Sequence, residues 1–258
     1  MTKPEPICIG GLPILPLTRL EWAHRIIEIA QARKTAGKIP AFFTSANGNV
    51  LSRAARDPLF KDILLSSDGI DADGQPLVLS SWFFPISLPE RCSTTDLMPV
   101  LAEVGQEKGI SFYFLGAHES ENATAVEALQ RAYPKFKIAG RRNGYFSRSE
   151  ETSVVEHIRN ARPDILLIGM GVPLEQQFVM RNRSKLVGVG AIKTCGGLID
   201  RLAGRIRRPP PWIQQAGLEW LIRMCSDPRR FFWRYAITSP HALYLLLTKT
   251  RQRWTEPD

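Results

Sequence analysis

The stretch Asp164-Ile-Leu-Leu-Ile-Gly-Met-Gly171 places four consecutive large aliphatic residues between an acidic residue and a glycine-bounded turn. A run this short and this apolar fits a strand buried on both faces, the kind a parallel sheet needs, and the glycines end it. Ser111-Phe-Tyr-Phe-Leu115 repeats the pattern, closed by Gly116, and Glu121 to Ala132 comes after it with helical spacing. Upstream, Thr18-Arg-Leu-Glu21 is a capping box ahead of Trp22, Ala23, Ile26, Ile27 and Ala30, which predicts a helix ending by Gly37. Ala41 to Thr44 reads as a strand after Pro40, Asn47 to Leu65 as helical with a break near Pro58, and Leu186 to Val189 as a further strand. Strands alternating with helices predict an α/β fold: a Rossmann-like, mostly parallel sheet flanked by helices, with ligands bound beyond the carboxyl ends of the strands.

The composition fits one globular unit with a tail. Of the 258 residues 44% are hydrophobic and 23% charged, enough to bury a core without disulfides or metal. Cys8, Cys92, Cys195 and Cys225 are scattered, with no pair at metal-ligand or redox spacing, so a reducing compartment is expected. The opening segment, Met1 to Leu17, mixes Lys3, Glu5 and prolines and does not read as a signal peptide, and no apolar run is long enough to span a bilayer. The net charge of +9 is uneven: from Arg201 onward eleven Lys or Arg face four Asp or Glu, leaving +2 for the first 200 residues. After Gly204 the run Arg205-Ile-Arg-Arg-Pro-Pro-Pro211 punctuates the chain, and the segment beyond it is helical, aromatic and basic. The expected division is a core over residues 1–204 and a basic helical appendage over 205–258. A cationic end on a neutral body points to an anionic partner.

Several motifs admit more than one chemistry. Gly169 to Gln176 comes after a strand and offers backbone N–H groups at a helix start, suited to phosphate, yet Leu174 occupies the last position of the dinucleotide fingerprint and disfavours a dehydrogenase site. A turn that needs glycine for geometry explains it equally well. Asp71-x-Asp73 could hold a divalent cation, could be part of an Asp/Gly turn, or could present Asp73 as a general base. In the tail, arginines alternate with Trp212, Trp220, Phe231, Phe232, Trp233 and Tyr235, which suits an interfacial helix, a diphosphate contact or a solvated basic face. No nucleic-acid docking motif is present, so nucleic acid is not an expected partner. The four histidines show no metal spacing and no serine sits in a nucleophile elbow, so hydrolase chemistry has no support.

The tail motifs Asp200-x-x-x-Gly204, Arg208-Pro-Pro-Pro-Trp212, Gly217-Leu-Glu-Trp-Leu-Ile-Arg223, Asp227-Pro-Arg-Arg230 and Arg234-Tyr235 resemble the signature of the WecG/TagA/CpsF family of bacterial glycosyltransferases. Thr44-Ser-Ala-Asn47, Ala72-Asp-Gly74, Pro89-Glu-Arg91, Asn143-Gly-Tyr-Phe146 and Gly169-x-Gly-x-Pro173 extend the likeness from about Leu17 to Leu247 in the family's order. The resemblance implies inverting transfer of a hexose or N-acetylhexosamine from a UDP-sugar to a sugar on polyprenyl diphosphate, in surface or exopolysaccharide synthesis. It implies no cofactor and no metal, a peripheral place on the inner face of the bacterial plasma membrane, and an appendage that meets anionic lipid and covers the active site. It carries catalytic roles onto Asp73 as general base, Thr44 and Asn47. Substrate contacts are carried onto Arg91, Tyr145, Gly171, Glu175, Gln176, Asp200, Arg208, Arg223 and Arg230. A homo-oligomer is compatible with the sequence, which does not decide the oligomeric state. The competing expectation is a non-catalytic basic protein that docks on membranes or nucleic acid.

Two departures from the family pattern stand out. Pro173-Leu-Glu-Gln176 exchanges the amide and acid of the usual P-x-Q-E, and Gly190 to Gly197 reads as a lengthened turn before Asp200. Both point to a donor or acceptor other than that of the N-acetylmannosamine enzymes, with glucose or a related hexose in exopolysaccharide assembly as one branch.

Overall fold

The computed structural model describes residues 4–206, 210, 213, 221, 222, 224 and 228–255, the side chains of 228–232 and 234 excepted. A six-stranded, wholly parallel sheet forms its centre. In chain order the strands are β3 (Ala41–Ala46), β4 (Gly69–Ala72), β5 (Ser111–Gly116), β6 (Lys137–Arg142), β7 (Ile165–Gly169) and β8 (Ala191–Thr194), arranged β4-β3-β8-β7-β5-β6. A small antiparallel hairpin, β1 (Ile7–Ile9) and β2 (Leu12–Ile14), lies apart from it.

Period-two alternation sends the strand side chains to two helical layers. Phe43, Ile165 and Leu167 join α1 (Arg19–Thr35), α5 (Thr94–Glu107), α6 (Glu119–Ala132) and α9 (Leu198–Leu202) in one core cluster. Phe42, Leu166, Ile168 and Ile192 face α3 (Pro58–Leu65), α7 (Glu151–Ala161) and α8 (Leu174–Asn182) in another. A third cluster joins the hairpin, α2 (Gly48–Ala54), α4 (Gln75–Ser81) and Leu245 and Leu246 of α10 (Pro228–Thr248). The expected α/β architecture is therefore the observed one. The α1 capping box is formed on both sides, by Thr18 and Glu21.

Three local expectations fail. Residues 186–189 form no strand, because the chain turns at Gly188 (φ +102°) and Val187 and Val189 make only an isolated bridge; the strand is the next segment, β8. Half of the supposed lengthened turn, Gly190 to Gly197, is thus β8 (Ala191–Thr194), which lies between β3 and β7 in mid-sheet. Lys193 hid it by breaking the apolar run. Likewise the turn that is one reading of Asp71-x-Asp73 is not formed: Gly69–Ala72 is strand β4, buried at every position.

All six strands point the same way, so their carboxyl ends share one edge. There β5 and β7 approach so closely that a Cβ on Gly116 (φ +147°) would sit 2.3 Å from the Gly169 carbonyl oxygen. Only glycine fits.

Candidate active site

Asp73 comes directly after the last residue of β4, and its amide N–H donates to the Ala46 carbonyl at the end of β3 (2.8 Å). Beside it Asn47 has two jobs. Its Oδ1 caps α2 by accepting from Asn49 N (3.1 Å) and Val50 N (3.2 Å), while its Nδ2 donates to Asp73 Oδ2 (3.2 Å). The helix cap fixes the amide, and the amide fixes the carboxylate. Of the three expected catalytic side chains, Asp73 and Asn47 are in direct contact.

Thr44 stands one layer below. Fully buried in β3, its hydroxyl accepts from Thr194 Oγ1 (2.8 Å) and Gln176 Nε2 (3.4 Å), linking β3, β8 and α8. On the opposite face of the sheet lies a polar group that sequence reasoning missed. Lys193 and Asp71, each 0% exposed, form an ion pair at 2.6 Å, and Lys193 Nζ also donates to Ser45 Oγ (2.6 Å). Burial pushes the Asp71 carboxyl up against the pull of the Lys193 ammonium. The Asp71-x-Asp73 cation site is therefore not formed: one carboxylate is committed to Lys193 in the core and the other to Asn47 at the strand end. Among the described residues no cluster of three His, Cys, Asp or Glu side chains could hold a metal ion. A charged residue in mid-strand was the available signal for the pair, and its partner became visible only through the β3–β4–β8 pairing.

The turns after β7 and β8 form the next wall. Glu175 and Gln176 are 2% and 1% exposed, so neither lines the surface as a donor-facing pair would. Glu175 Oε2 instead accepts from Gly171 N (3.1 Å) and Gly196 N (3.0 Å), tying the two glycine turns together. Burial raises its carboxyl to about 7, against the lowering effect of those backbone N–H groups. Gly171 adopts φ +80°, a conformation glycine takes without strain.

Arg91, Asp200 and Tyr145 belong to segments that follow or flank the strand ends. Arg91, in the segment between α4 and α5, pairs with Asp96 (2.9 Å), and Cys92 N returns to the Ala72 carbonyl (2.8 Å), which brings Arg91 beside the end of β4. Asp200 lies in α9 and is approached by Arg205 (3.9 Å), which also bonds Glu121 (3.0 Å). Tyr145 is exposed and stacks on His118, ring centroids 4.0 Å apart, beyond β5. Arg208 and Arg223 lie outside the described residues, as does the side chain of Arg230. Cys8, Cys92 and Cys195 are buried free thiols, all pushed up by desolvation and so not poised as nucleophiles.

The profile described as Glycosyl transferase WecG/TagA/CpsF family matches residues 7–256. An N-acetylglucosaminyldiphosphoundecaprenol N-acetyl-beta-D-mannosaminyltransferase of Bacillus subtilis (strain 168) is 28% identical over 221 residues, covering 84% of this chain and 83% of that protein. The Staphylococcus aureus (strain MW2) protein of the same name is 26% identical over 189 residues, 73% of each chain. With a family match over nearly its whole length and a parallel sheet that brings Asn47 and Asp73 together at one edge, the chain belongs to the WecG/TagA/CpsF family of glycosyltransferases.

Proposed function

We propose that this glycosyltransferase moves a hexose or N-acetylhexosamine, with inversion, from a UDP-sugar to a sugar carried on polyprenyl diphosphate, without a metal ion. The observation that carries the reading is Asp73, held by Asn47 at the carboxyl edge of the sheet, where parallel α/β folds bind their ligands. The named activity of the relatives supplies the substrate class: their acceptor is a sugar diphosphate of undecaprenol.

The reaction is a single displacement. The acceptor hydroxyl oxygen attacks the anomeric carbon, its proton passes to Asp73, and the bond from that carbon to the UDP oxygen breaks with both electrons leaving on UDP. Asn47 keeps the carboxylate aimed. The leaving diphosphate is met by cations, for which Arg91 and the tail residues Arg208, Arg223 and Arg230 are the proposed supply, and by the backbone N–H groups of the glycine turns. Asp200 and the exposed Tyr145 ring would bound the nucleotide. Thr44, Glu175 and Gln176 work from behind, holding β3, β8 and α8 in register. The enzyme would work peripherally on the inner face of the plasma membrane, in surface or exopolysaccharide synthesis.

UDP release in the presence of an extracted lipid-linked acceptor, screened across UDP-sugars, tests the assignment. Asp73→Asn should keep the fold and donor binding and lose about a hundredfold or more in turnover. Turnover near the native value would remove Asp73 from the mechanism, and activity abolished by EDTA and restored by Mn²⁺ would overturn metal independence.

A further inference from the structure

The chain leaves the sheet at Asp73 and returns to the same place at Cys92, whose N–H bonds the Ala72 carbonyl. Between them, residues 75–89 contain no Asp, Glu, Lys or Arg. The root of this excursion is firmly built: Leu77, Val78 and Leu88 are buried, and Ser81 Oγ accepts from Leu88 N (2.9 Å). Its tip is the reverse. Trp82 is 63% exposed, Phe83 87% and Ile86 48%, and Leu79, one helical turn before Trp82, is also exposed. Large apolar side chains grouped in this way on a pinned loop mark an interaction surface.

We propose that the 82–87 loop inserts into the headgroup–acyl boundary of the bilayer and seats the mouth of the active site on the membrane. The idea rests on the proposed lipid-linked acceptor, and three observations favour a bilayer as occupant. The loop is rooted beside Asp73, and α4, seven residues long, carries it only about 10 Å along its axis. An acceptor sugar held on a membrane lipid reaches Asp73 only if the ground around Asp73 meets that membrane. The apolar tip lacks charge while the tail of the same chain carries +7, the complement of an anionic leaflet. Finally, α10 contacts α4 as well as α2, and α10 itself exposes the large apolar or aromatic side chains Trp233, Ile237 and Tyr244. Tryptophan and phenylalanine at the tip suit the interfacial zone. The division of labour is then clear: the arginines attract the protein to the surface over a Debye length, and the loop holds it there at short range.

The experiment compares the full chain with Trp82→Ser/Phe83→Ser and with Phe83→Asp, which changes a side chain too exposed to disturb folding. Sedimentation with vesicles of phosphatidylcholine and phosphatidylglycerol is measured at ~0.1 M and ~1 M NaCl, where the Debye length falls from about 10 Å to about 3 Å. Native protein should retain a salt-resistant fraction of binding, and each variant should lose about tenfold or more of it while keeping the low-salt, anion-dependent part. Transfer to a water-soluble acceptor with a truncated prenyl chain should be unchanged, and transfer to a vesicle-embedded acceptor should fall through a higher apparent KM. Native-like high-salt binding by both variants overturns the loop. So does a defect confined to long-chain acceptors without a vesicle-binding defect, which would assign the loop to the prenyl tail, or a change in oligomeric state, which would assign it to a second copy. If native protein transfers no sugar at all, the function proposed above fails, while the vesicle measurement still decides the loop.

Discussion

Glu175 shows how one side chain can serve the site without reaching it. Its buried carboxyl, raised to about 7, still accepts two backbone N–H groups that hold the Gly171 and Gly196 turns together. In the unfolded chain this group titrates near 4.3. Between that value and about 7 the folded protein binds the extra proton, so this group's contribution to stability falls as pH rises through the window, by about 3–4 kcal/mol in all. Glu175→Gln keeps the shape and removes the titration. The difference in unfolding free energy between the variant and the native chain, read from denaturant midpoints, should therefore shift in the variant's favour from pH 5 to pH 8. A difference independent of pH would mean that the carboxyl is ionised in the fold throughout. The exchanged order of Glu175 and Gln176 places the carboxylate where it ties the two turns together.

At the scale of the element, β8 is the informative strand. Its four residues, Ala-Ile-Lys-Thr, contain a lysine that would normally count against a central strand, yet the strand lies between β3 and β7 with Lys193 fully buried. Asp71 on β4, two strands away, makes this tolerable, with Ser45 on the intervening β3 completing the bridge. Removing one partner alone leaves the other charge buried and uncompensated. Lys193→Met should cost about 3–5 kcal/mol in a denaturant melt, and adding Asp71→Ala should recover most of it. If the single variant is as stable as the native chain, the ion pair is not what holds these strands together. The β4 pairing also shows why the Asp71-x-Asp73 spacing left its three readings open: burial of the whole strand and the capture of each carboxylate by a different partner cannot be seen from the spacing.

For the whole molecule, part of the segment expected as a basic helical appendage packs into the core. Ala242, Leu245 and Leu246 of α10 are buried, Ser52 bonds His241 (3.0 Å), and beyond the helix Lys249, Thr250 and Arg251 bond the β1–β2 hairpin. Deleting everything after Arg205 therefore removes core as well as charge. The loss of Leu245 and Leu246 alone is worth about 3–6 kcal/mol, a large share of the 5–15 kcal/mol typical of a domain. The truncated chain should melt well below the native one and bind ANS strongly. A truncated core with native melting temperature and no added ANS binding would show that α10 only rests on the surface. Charge effects of the tail are consequently better probed by substituting arginines than by truncation. Among the described residues no helix is long and apolar enough to cross a membrane.

Local pattern was enough for several features that depend on near neighbours in the chain. The apolar runs at 111–115 and 164–168, the capping box at Thr18 and the interruption at Pro58 are short-range signals, and each corresponds to an observed element. Motif order was likewise sufficient to place the chain in its family. Tertiary structure was needed to show how charges and strands far apart in the chain meet. The Lys193–Asp71 pair spans 122 positions and three strands, the bond between Asn47 and Asp73 exists because β3 and β4 run in parallel register, and α10 closes over the hairpin at the opposite end of the chain. The physical reason is that periodicity reports which face a residue presents, whereas the cost of burying a charge or the aim of a carboxylate depends on what another segment brings to that face.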